Sequence, residues 1–333
     1  MIEAPLRADP EIVRRMAALS ASAGEAVEKD VAELVQRRPG KAIDGSVIPS
    51  AVAADLVARH GLESPRELAL LTLPVALAMA RPPISGYRVA AVGIEAGTGD
   101  LLLGANLEFP GTDLGTTIHA EGFVSLRARR RGRTLDVLAL TRAHPCAHCR
   151  QTLIESAGAD GLRLVDVLGN VLVLVDLYPW AFGPSALGIP PDDPAAVRRR
   201  QVPPGAGTGT GSGHGGVPAE VAHVLEDVGA RSHAPYSRAP SAVALRLRDG
   251  IVVGAGCVES VAFNPSIEAV QAALVEVAAV RAEPGEIVEG WLARTPGGSV
   301  DPAPRFRAVL QAVAPMARAH VVDWAGDEPP ARA

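Results

Sequence analysis

Apolar residues recur at helical spacing through the first part of the chain. Val27, Val31, Leu34 and Val35 repeat with a period of about 3.6 residues, which is typical of an amphipathic helix. A longer apolar stretch follows them and predicts a buried helix. We therefore expect a helical N-terminal segment over residues 1–62 and one more helix after it. The predicted helices are Pro10–Ala21, Gly24–Arg37, Pro49–His60 and Pro65–Arg81.

The hydrophobic pattern changes after Arg81. Tyr87–Glu95 and Leu101–Leu107 are β-like apolar runs, and the glycine-containing stretch between them predicts a hairpin. Strands and helices then alternate, which predicts an α/β domain with helices layered on a sheet. The remaining predicted elements are a helix at Thr117–Arg127, a strand at Leu135–Thr141, a helix at Cys146–Glu155 and a strand at Val171–Leu177.

A stretch rich in proline and glycine precedes a second β-rich block. Its glycine run, residues 205–216, is not followed by Gly-Lys-Ser/Thr, so a flexible linker is favoured over a phosphate-binding loop. The block Pro235–Glu259 repeats the order of strand, turn and strand found in Pro83–Glu108, which indicates an internal repeat. The predicted organisation is a helical segment (1–62), a first domain (63–189), a linker (190–217) and a second domain (218–325).

Composition and charge narrow the class of protein. Apolar residues make up 48% and charged residues 21%, so the chain can bury a core. The net charge of −5 offers no attraction for a polyanion, and we expect no nucleic-acid partner. The arginine run at 127–133 is accordingly interpreted as a solvated helix end. Three cysteines, no evident signal peptide and no apolar stretch of bilayer length predict a cytoplasmic protein without membrane contact.

The strongest chemical signal is His119-Ala-Glu121 followed by Pro-Cys146-x-x-Cys149. One imidazole and two thiolates supply three ligands to a tetrahedral zinc ion and leave the fourth position open for water. A redox pair would not explain the upstream His-x-Glu, and no second Cys-x-x-Cys completes a four-cysteine site. This spacing is the signature of zinc nucleobase deaminases. We predict one zinc per chain held by His119, Cys146 and Cys149, with Glu121 as the catalytic proton carrier.

Further segments resemble one family, the two-domain homodimeric bacterial type of cytidine deaminase. The resemblance implies a three-layer α/β/α core present twice, as a catalytic and a degenerate copy, within an α/β fold. It also implies hydrolysis of cytidine and 2′-deoxycytidine to uridine and 2′-deoxyuridine with release of ammonia, in pyrimidine salvage. The segments that carry the resemblance are residues 104–111, 119–121, 145–151, 178–184, 232–237 and 262–265.

The resemblance implies a substrate-binding set for a small nucleoside. Asn106 and Glu108 would hydrogen-bond the ribose hydroxyls, with Leu107 in the same segment. Tyr87 stands near the base, where the family usually has phenylalanine. Phe182 would stack on the base from across the interface of a homodimer, in which each active site is completed by the partner.

The second domain lacks the zinc machinery. Aligning Glu259 with Glu108 places Ala269-Val270-Gln271 near the position of His-Ala-Glu, and no cysteine follows Cys257. We interpret this domain as a degenerate copy that serves packing and dimerisation.

Other functions stay open on the sequence alone. The same chemistry could act on a modified cytosine nucleoside, such as a nucleoside antibiotic. A non-catalytic zinc-stabilised interaction protein would explain the ligands but not Glu121, Asn106 and Glu108 together. A polynucleotide deaminase is disfavoured, because aromatic residues make up only 3% of the chain and offer few stacking platforms.

Overall fold

The computed structural model describes residues 9–36, 45–141, 144–203 and 216–325. The predicted N-terminal helices are confirmed, although a π-helical turn at Ser20–Gly24 separates the first two. Asp9 and Ser64 are the N-caps of the first and last of these helices, and the side-chain oxygen of each accepts a backbone N–H of the first turn. Most of the predicted glycine run, residues 205–215, lies outside the described residues. The helices are α1 (Pro10–Leu19), α2 (Glu25–Gln36), α3 (Ser50–Arg59) and α4 (Pro65–Leu77).

The first sheet comprises β1 (Val47–Ile48), β2 (Ala90–Glu95), β3 (Leu101–Ala105), β4 (Leu135–Leu140), β5 (Arg163–Asp166) and β6 (Val171–Val173). The strands lie in the order β1-β3-β2-β4-β5-β6. Only β4 and β5 are parallel among these neighbouring pairs. Three helices accompany the sheet: α5 (Ala120–Arg130), α6 (Ala147–Leu153) and α7 (Leu174–Leu177). We call residues 65–177 the first unit.

The predicted strand at Val171–Leu177 is wrong in its second half. Strand β6 ends at Val173, which pairs with Arg163, the first residue of β5. The N–H of Leu174 still donates to the carbonyl of Leu162, but the preceding residues Ala159–Gly161 form a 3₁₀ turn and offer no further strand to pair with. The chain therefore turns into the short helix α7.

The second unit, residues 216–325, repeats this plan. It contains α8 (Ala219–Ala230), β7 (Ala242–Leu247), β8 (Val252–Gly256), α9 (Ala269–Ala279), β9 (Ile287–Arg294), α10 (Ala303–Val313) and β10 (Arg318–Asp323). Its sheet order, β8-β7-β9-β10, matches β3-β2-β4-β5 strand by strand, and the parallel pair comes last in both. The predicted α/β fold, present twice, is thereby confirmed.

Helices cover both faces of the first sheet, as the predicted three layers require. Helix α4 packs on one face, and α5 and α6 pack on the other. Helix α5 lies very close to β3, because a Cβ added to Gly104 would lie 2.7 Å from the ring of Phe123. Glycine at this position therefore lets α5 approach the sheet.

The arginine run is not a solvated helix end. Arg127 and Arg129 are 1% and 8% exposed, and their guanidinium groups contact Glu276 and Asp192. The reason is that the second unit packs against α5 around Arg127, while Asp192, in the segment between the two units, covers Arg129. Among the described residues, no helix is long and apolar enough to cross a membrane.

Candidate active site and metal centre

A backbone bridge brings the two halves of the site together. The N–H and C=O groups of Leu107 pair with those of Ile118 at 2.8 and 2.9 Å. The segment that contains Asn106 and Glu108 is thus fixed beside the residue that precedes His119. The chain then enters α5, whose first turn contains Glu121.

The predicted zinc ligands meet where two helices begin. His119 is the N-cap of α5, Cys146 is the N-cap of α6, and Cys149 lies in the first turn of α6. Helix N-termini present unpaired N–H groups and partial positive charge, which favour thiolates. Nδ1 of His119 lies 3.5 Å from Sγ of Cys146 and 3.3 Å from Sγ of Cys149, and the two sulfurs are 3.7 Å apart.

These distances fit a tetrahedral zinc ion. With Zn–S bonds of about 2.3 Å and a Zn–N bond of about 2.0–2.1 Å, tetrahedral angles place sulfurs about 3.8 Å apart and sulfur and nitrogen about 3.5 Å apart. His119 and Cys146 are exposed whereas Cys149 is buried, so the ligand set is open on one side. Such a site can hold a metal ion and leave room for water.

The charge state of the cluster also suits a cation. Hydrogen bonding to Cys149 and to His119 lowers the pKa of Cys146 to about 3, so its sulfur is held as a thiolate. Hydrogen bonding with that sulfur raises the pKa of Cys149 and of His119. Metal binding would displace the protons that these groups share, as it does wherever thiolate is the ligand form.

Glu121 is a buried carboxylate beside the ligands. It is 4% exposed, and burial raises its pKa above the usual range. The nearby charge of His119 and a hydrogen bond with Cys149 act in the opposite direction. A carboxylate with a raised pKa can both accept and return a proton near neutral pH.

Asn106 and Glu108 are held rigidly by backbone groups. The Asn106 amide accepts the N–H of Val89 at 2.9 Å and donates to the carbonyl of Tyr87 at 2.8 Å. Glu108 accepts the N–H groups of Ile84 and Ser85 and the Ser85 hydroxyl, at 2.5–2.9 Å. Burial opposes ionisation, but these hydrogen bonds keep the pKa of Glu108 below its usual range, and His119 contributes through its charge.

The other predicted substrate-binding residues differ in what they offer. Leu107 is a core residue, 2% exposed, whose backbone groups are both bonded to Ile118, so it presents no free polar group to a ligand. Tyr87 and Phe182 are 57% and 47% exposed, which leaves both rings accessible. We therefore retain these two rings, and not the Leu107 side chain, as candidates for ligand contact.

Sequence reasoning missed the residue that anchors the Phe182 segment. Gln151, 5% exposed on α6, donates to the carbonyl of Phe182 at 2.8 Å and accepts the hydroxyl of Tyr178 at 2.6 Å. Both ends of the segment 178–182 are thus tied to the helix that carries Cys149. The only sequence signal was the position of Gln151 two residues after a predicted ligand.

The described part of the second unit repeats the hydrogen bonds of Glu108 but has no group of residues equivalent to His119, Cys146 and Cys149. Glu259 accepts the N–H groups of Tyr236 and Ser237 at 3.0 Å and the Ser237 hydroxyl, which repeats the contacts of Glu108. The bridge Val258–Ile267 corresponds to Leu107–Ile118, so Glu268 occupies the position of His119. The position equivalent to His-Ala-Glu is therefore 268–270, one residue before the predicted 269–271, and the second block is two residues shorter between its glutamate and its helix.

Comparisons with known proteins agree with the duplicated architecture. Profiles described as "Cytidine and deoxycytidylate deaminase zinc-binding region" match residues 66–161 and residues 210–302. A crystal structure of cytidine deaminase from Mycobacterium tuberculosis matches 33% of this chain and 89% of its own, with 30% sequence identity and a TM-score of 0.30.

Curated relatives match over most of the chain. A cytidine deaminase from Shewanella pealeana is 32% identical over 273 residues, which cover 81% of this chain and 86% of that protein. One from Aliivibrio fischeri is 31% identical over 264 residues, which cover 76% and 80%. With two matching profiles and a group that can hold zinc, the chain belongs to the cytidine deaminase family of zinc-dependent hydrolytic enzymes.

Proposed function

We propose that this protein hydrolyses cytidine and 2′-deoxycytidine to uridine and 2′-deoxyuridine and releases ammonia, as a step of pyrimidine salvage. The observation that carries the proposal is the buried Glu121 beside a set of three atoms with tetrahedral zinc spacing. A purely structural zinc site needs no buried acid beside its ligands. The names of the curated relatives support cytidine as the substrate.

In the proposed reaction, His119, Cys146 and Cys149 hold the zinc ion, one per chain. Bound zinc would supply activated water by lowering its pKa from about 15.7 towards 7. Glu121 takes a proton from this water and delivers it to the ring nitrogen N3 of cytosine while the oxygen bonds to C4. Glu121 then transfers the second proton to the 4-amino nitrogen, the C4–N bond breaks and ammonia leaves.

Asn106 and Glu108 are proposed to bind the sugar. The Asn106 amide uses one of its two N–H groups and one lone pair on the backbone, so each end keeps capacity for a hydroxyl. Glu108 stays ionised and accepts from a second hydroxyl. A substrate without these hydroxyls would leave both groups unpaired, which rejects it strongly. Tyr87 and Phe182 are proposed to contact the base through their exposed rings.

The wider organisation is proposed on the same basis. We assign residues 1–62 to a helical segment, 63–189 to the catalytic domain, 190–217 to the linker and 218–325 to the degenerate domain. The exposed ring of Phe182 supports a homodimer in which the partner completes the site. A reducing, cytoplasmic location fits ligand thiols that must not form disulfides.

The proposal is tested with zinc-loaded protein and four compounds. Cytidine and 2′-deoxycytidine should lose their cytosine absorbance and release one ammonia each. Free cytosine, which has no sugar for Asn106 and Glu108, should react poorly, and adenosine should not react. Zinc-loaded protein that leaves both nucleosides unchanged would refute the proposal, and turnover of a modified cytosine nucleoside alone would support that substrate instead.

A further inference from the structure

Arg127 is the largest side chain that is fully buried in the described part of the chain. It lies on α5, eight residues after His119 and therefore about 12 Å along the helix axis. One guanidinium nitrogen pairs with a carboxylate oxygen of Glu276, which is 2% exposed on α9. Another donates to the carbonyl of Gly45 at 2.6 Å. Neither the zinc motif nor the proposed chemistry requires a charge at this position.

The ion pair joins equivalent positions of the two units. Helix α5 has His119 as its N-cap, and α9 has Glu268 as its N-cap. Arg127 and Glu276 both stand eight residues after these caps. The pair therefore connects the helix that contains the catalytic motif to the helix that has lost it.

Directional contacts at this point fix the position of α5 along its own axis. The sheet face of α5 packs through Ala120, Val124 and Ala128, and hydrophobic contact between such residues is non-directional. A guanidinium that donates one hydrogen bond to a carboxylate and another to a carbonyl is directional and tolerates little sliding. Ser46, which follows Gly45 in the chain, also binds α9, because its hydroxyl donates to the carbonyl of Ala279 at 2.8 Å.

The second zinc-bearing helix is also tied to the second unit. Glu155, two residues beyond α6 and 1% exposed, accepts the hydroxyl of Tyr236 at 2.8 Å and the N–H of Val261 at 2.5 Å. Both donors belong to the second unit. The second unit thus contacts α5 at Arg127 and the chain just beyond α6 at Glu155, in each case through a buried charged side chain of the first unit.

We propose that Arg127 and Glu276 are positioning residues, through which the second unit sets the axial position of α5 and so the placement of His119 and Glu121. This inference rests on the proposed function only where its test measures cytidine turnover. Asn106 and Glu108, which are proposed to bind the sugar, precede α5 in the chain. A substitution in the ion pair should therefore displace them less than it displaces His119 and Glu121.

The test compares Glu276→Gln with Glu289→Gln in the full-length, zinc-loaded protein. Glu289 is a matched control, because it is 8% exposed and pairs with Arg246 entirely within the second unit. Glu276→Gln should weaken zinc retention against a chelator by about 10-fold, the lower end of what loss of a direct hydrogen-bond partner of a ligand costs, because the pair acts on His119 through the helix. It should also lower kcat for cytidine by about 10-fold or more with KM within about twofold, and alter the absorption spectrum of the cobalt-substituted protein. The control should match wild type in all three measurements.

Wild-type zinc retention and kcat in folded Glu276→Gln would overturn the proposal, as would an equal loss in the control. If Glu276→Gln does not fold, the double variant Arg127→Met/Glu276→Met takes its place, since a buried ion pair can be replaced by apolar residues with little loss of stability. The double variant should show the same weakened zinc retention, and wild-type retention would refute the role. If wild-type protein does not deaminate cytidine, the proposed function fails, but zinc retention and the cobalt spectrum still test the positioning role.

Discussion

Glu108→Gln and Glu259→Gln are a matched pair of substitutions, because the two carboxylates hold the same turn in the two units. Each accepts two backbone N–H groups and one serine hydroxyl. Of the two, only Glu108 lies near His119, a member of the group that could hold a metal. Comparing the two variants therefore separates the contribution of these hydrogen bonds to stability from the contribution of Glu108 to catalysis.

The stability effect should be nearly equal in the two variants. Glutamine presents an NH2 group in place of one carboxylate oxygen, so at least one of the donors in each turn loses its acceptor. A hydrogen bond to a charged group contributes about 1.5–3 kcal/mol net, and partial exposure of both side chains reduces this. We expect each variant to lose about 1–2 kcal/mol of unfolding free energy, measured by denaturant titration with zinc present.

The effect on activity should differ sharply. Loss of the charged acceptor for a ribose hydroxyl removes about 2–3 kcal/mol of transition-state binding, so Glu108→Gln should lower kcat/KM for cytidine by about 100-fold. Glu259→Gln should stay within about twofold of wild type, measured by initial rates. Wild-type kcat/KM in Glu108→Gln would show that its network only supports the turn, and an equal loss in Glu259→Gln would refute the degenerate role of the second unit.

Three further substitutions test the metal ligands, the segment that contains Phe182 and the contact between the two units. Cys149→Ser should abolish stoichiometric zinc binding and cytidine turnover, measured by metal analysis and absorbance; retained zinc would contradict the ligand assignment. Gln151→Leu frees the segment of Phe182, so KM for cytidine should rise about 10-fold or more with a smaller change in kcat, and an unchanged KM would exclude that segment from binding. Tyr236→Phe removes a donor to buried Glu155 and should reduce the unfolding free energy by about 1–3 kcal/mol; unchanged stability in denaturant would contradict the interdomain contact.

Local sequence patterns were sufficient for most elements and for the chemistry of the metal site. Apolar residues at helical spacing predicted α2, and the long apolar stretch predicted α4, because both patterns act within a few residues of the chain. The group His119, Cys146 and Cys149, which could hold a metal ion, was predictable because metal chemistry restricts residue types and their spacing so tightly. The repeated order of strand and turn before Glu108 and Glu259 also predicted the duplication.

Features that depend on distant contacts were not predictable in this way. The strand expected at Val171–Leu177 ends early because the chain before Leu162, its last partner beside the unpredicted β5, is a 3₁₀ turn and not a strand. The charge of Arg127 suggested solvent, yet the second unit buries it against Glu276. Leu107 lies between two polar site residues, but strand alternation and the bridge to Ile118 direct its side chain into the core.

The proposed role of Glu121 as the proton carrier is tested by comparing zinc-loaded wild type with Glu121→Gln, each assayed with cytidine by absorbance and for bound zinc by metal analysis. Glutamine preserves the size of the side chain but cannot carry a proton, and general acid–base catalysis contributes about 10²–10⁴-fold. We expect one zinc per chain in both proteins, rapid cytidine turnover in wild type and a fall of kcat of at least about 100-fold in the variant. Turnover by Glu121→Gln at the wild-type rate would show that Glu121 does not carry the proton.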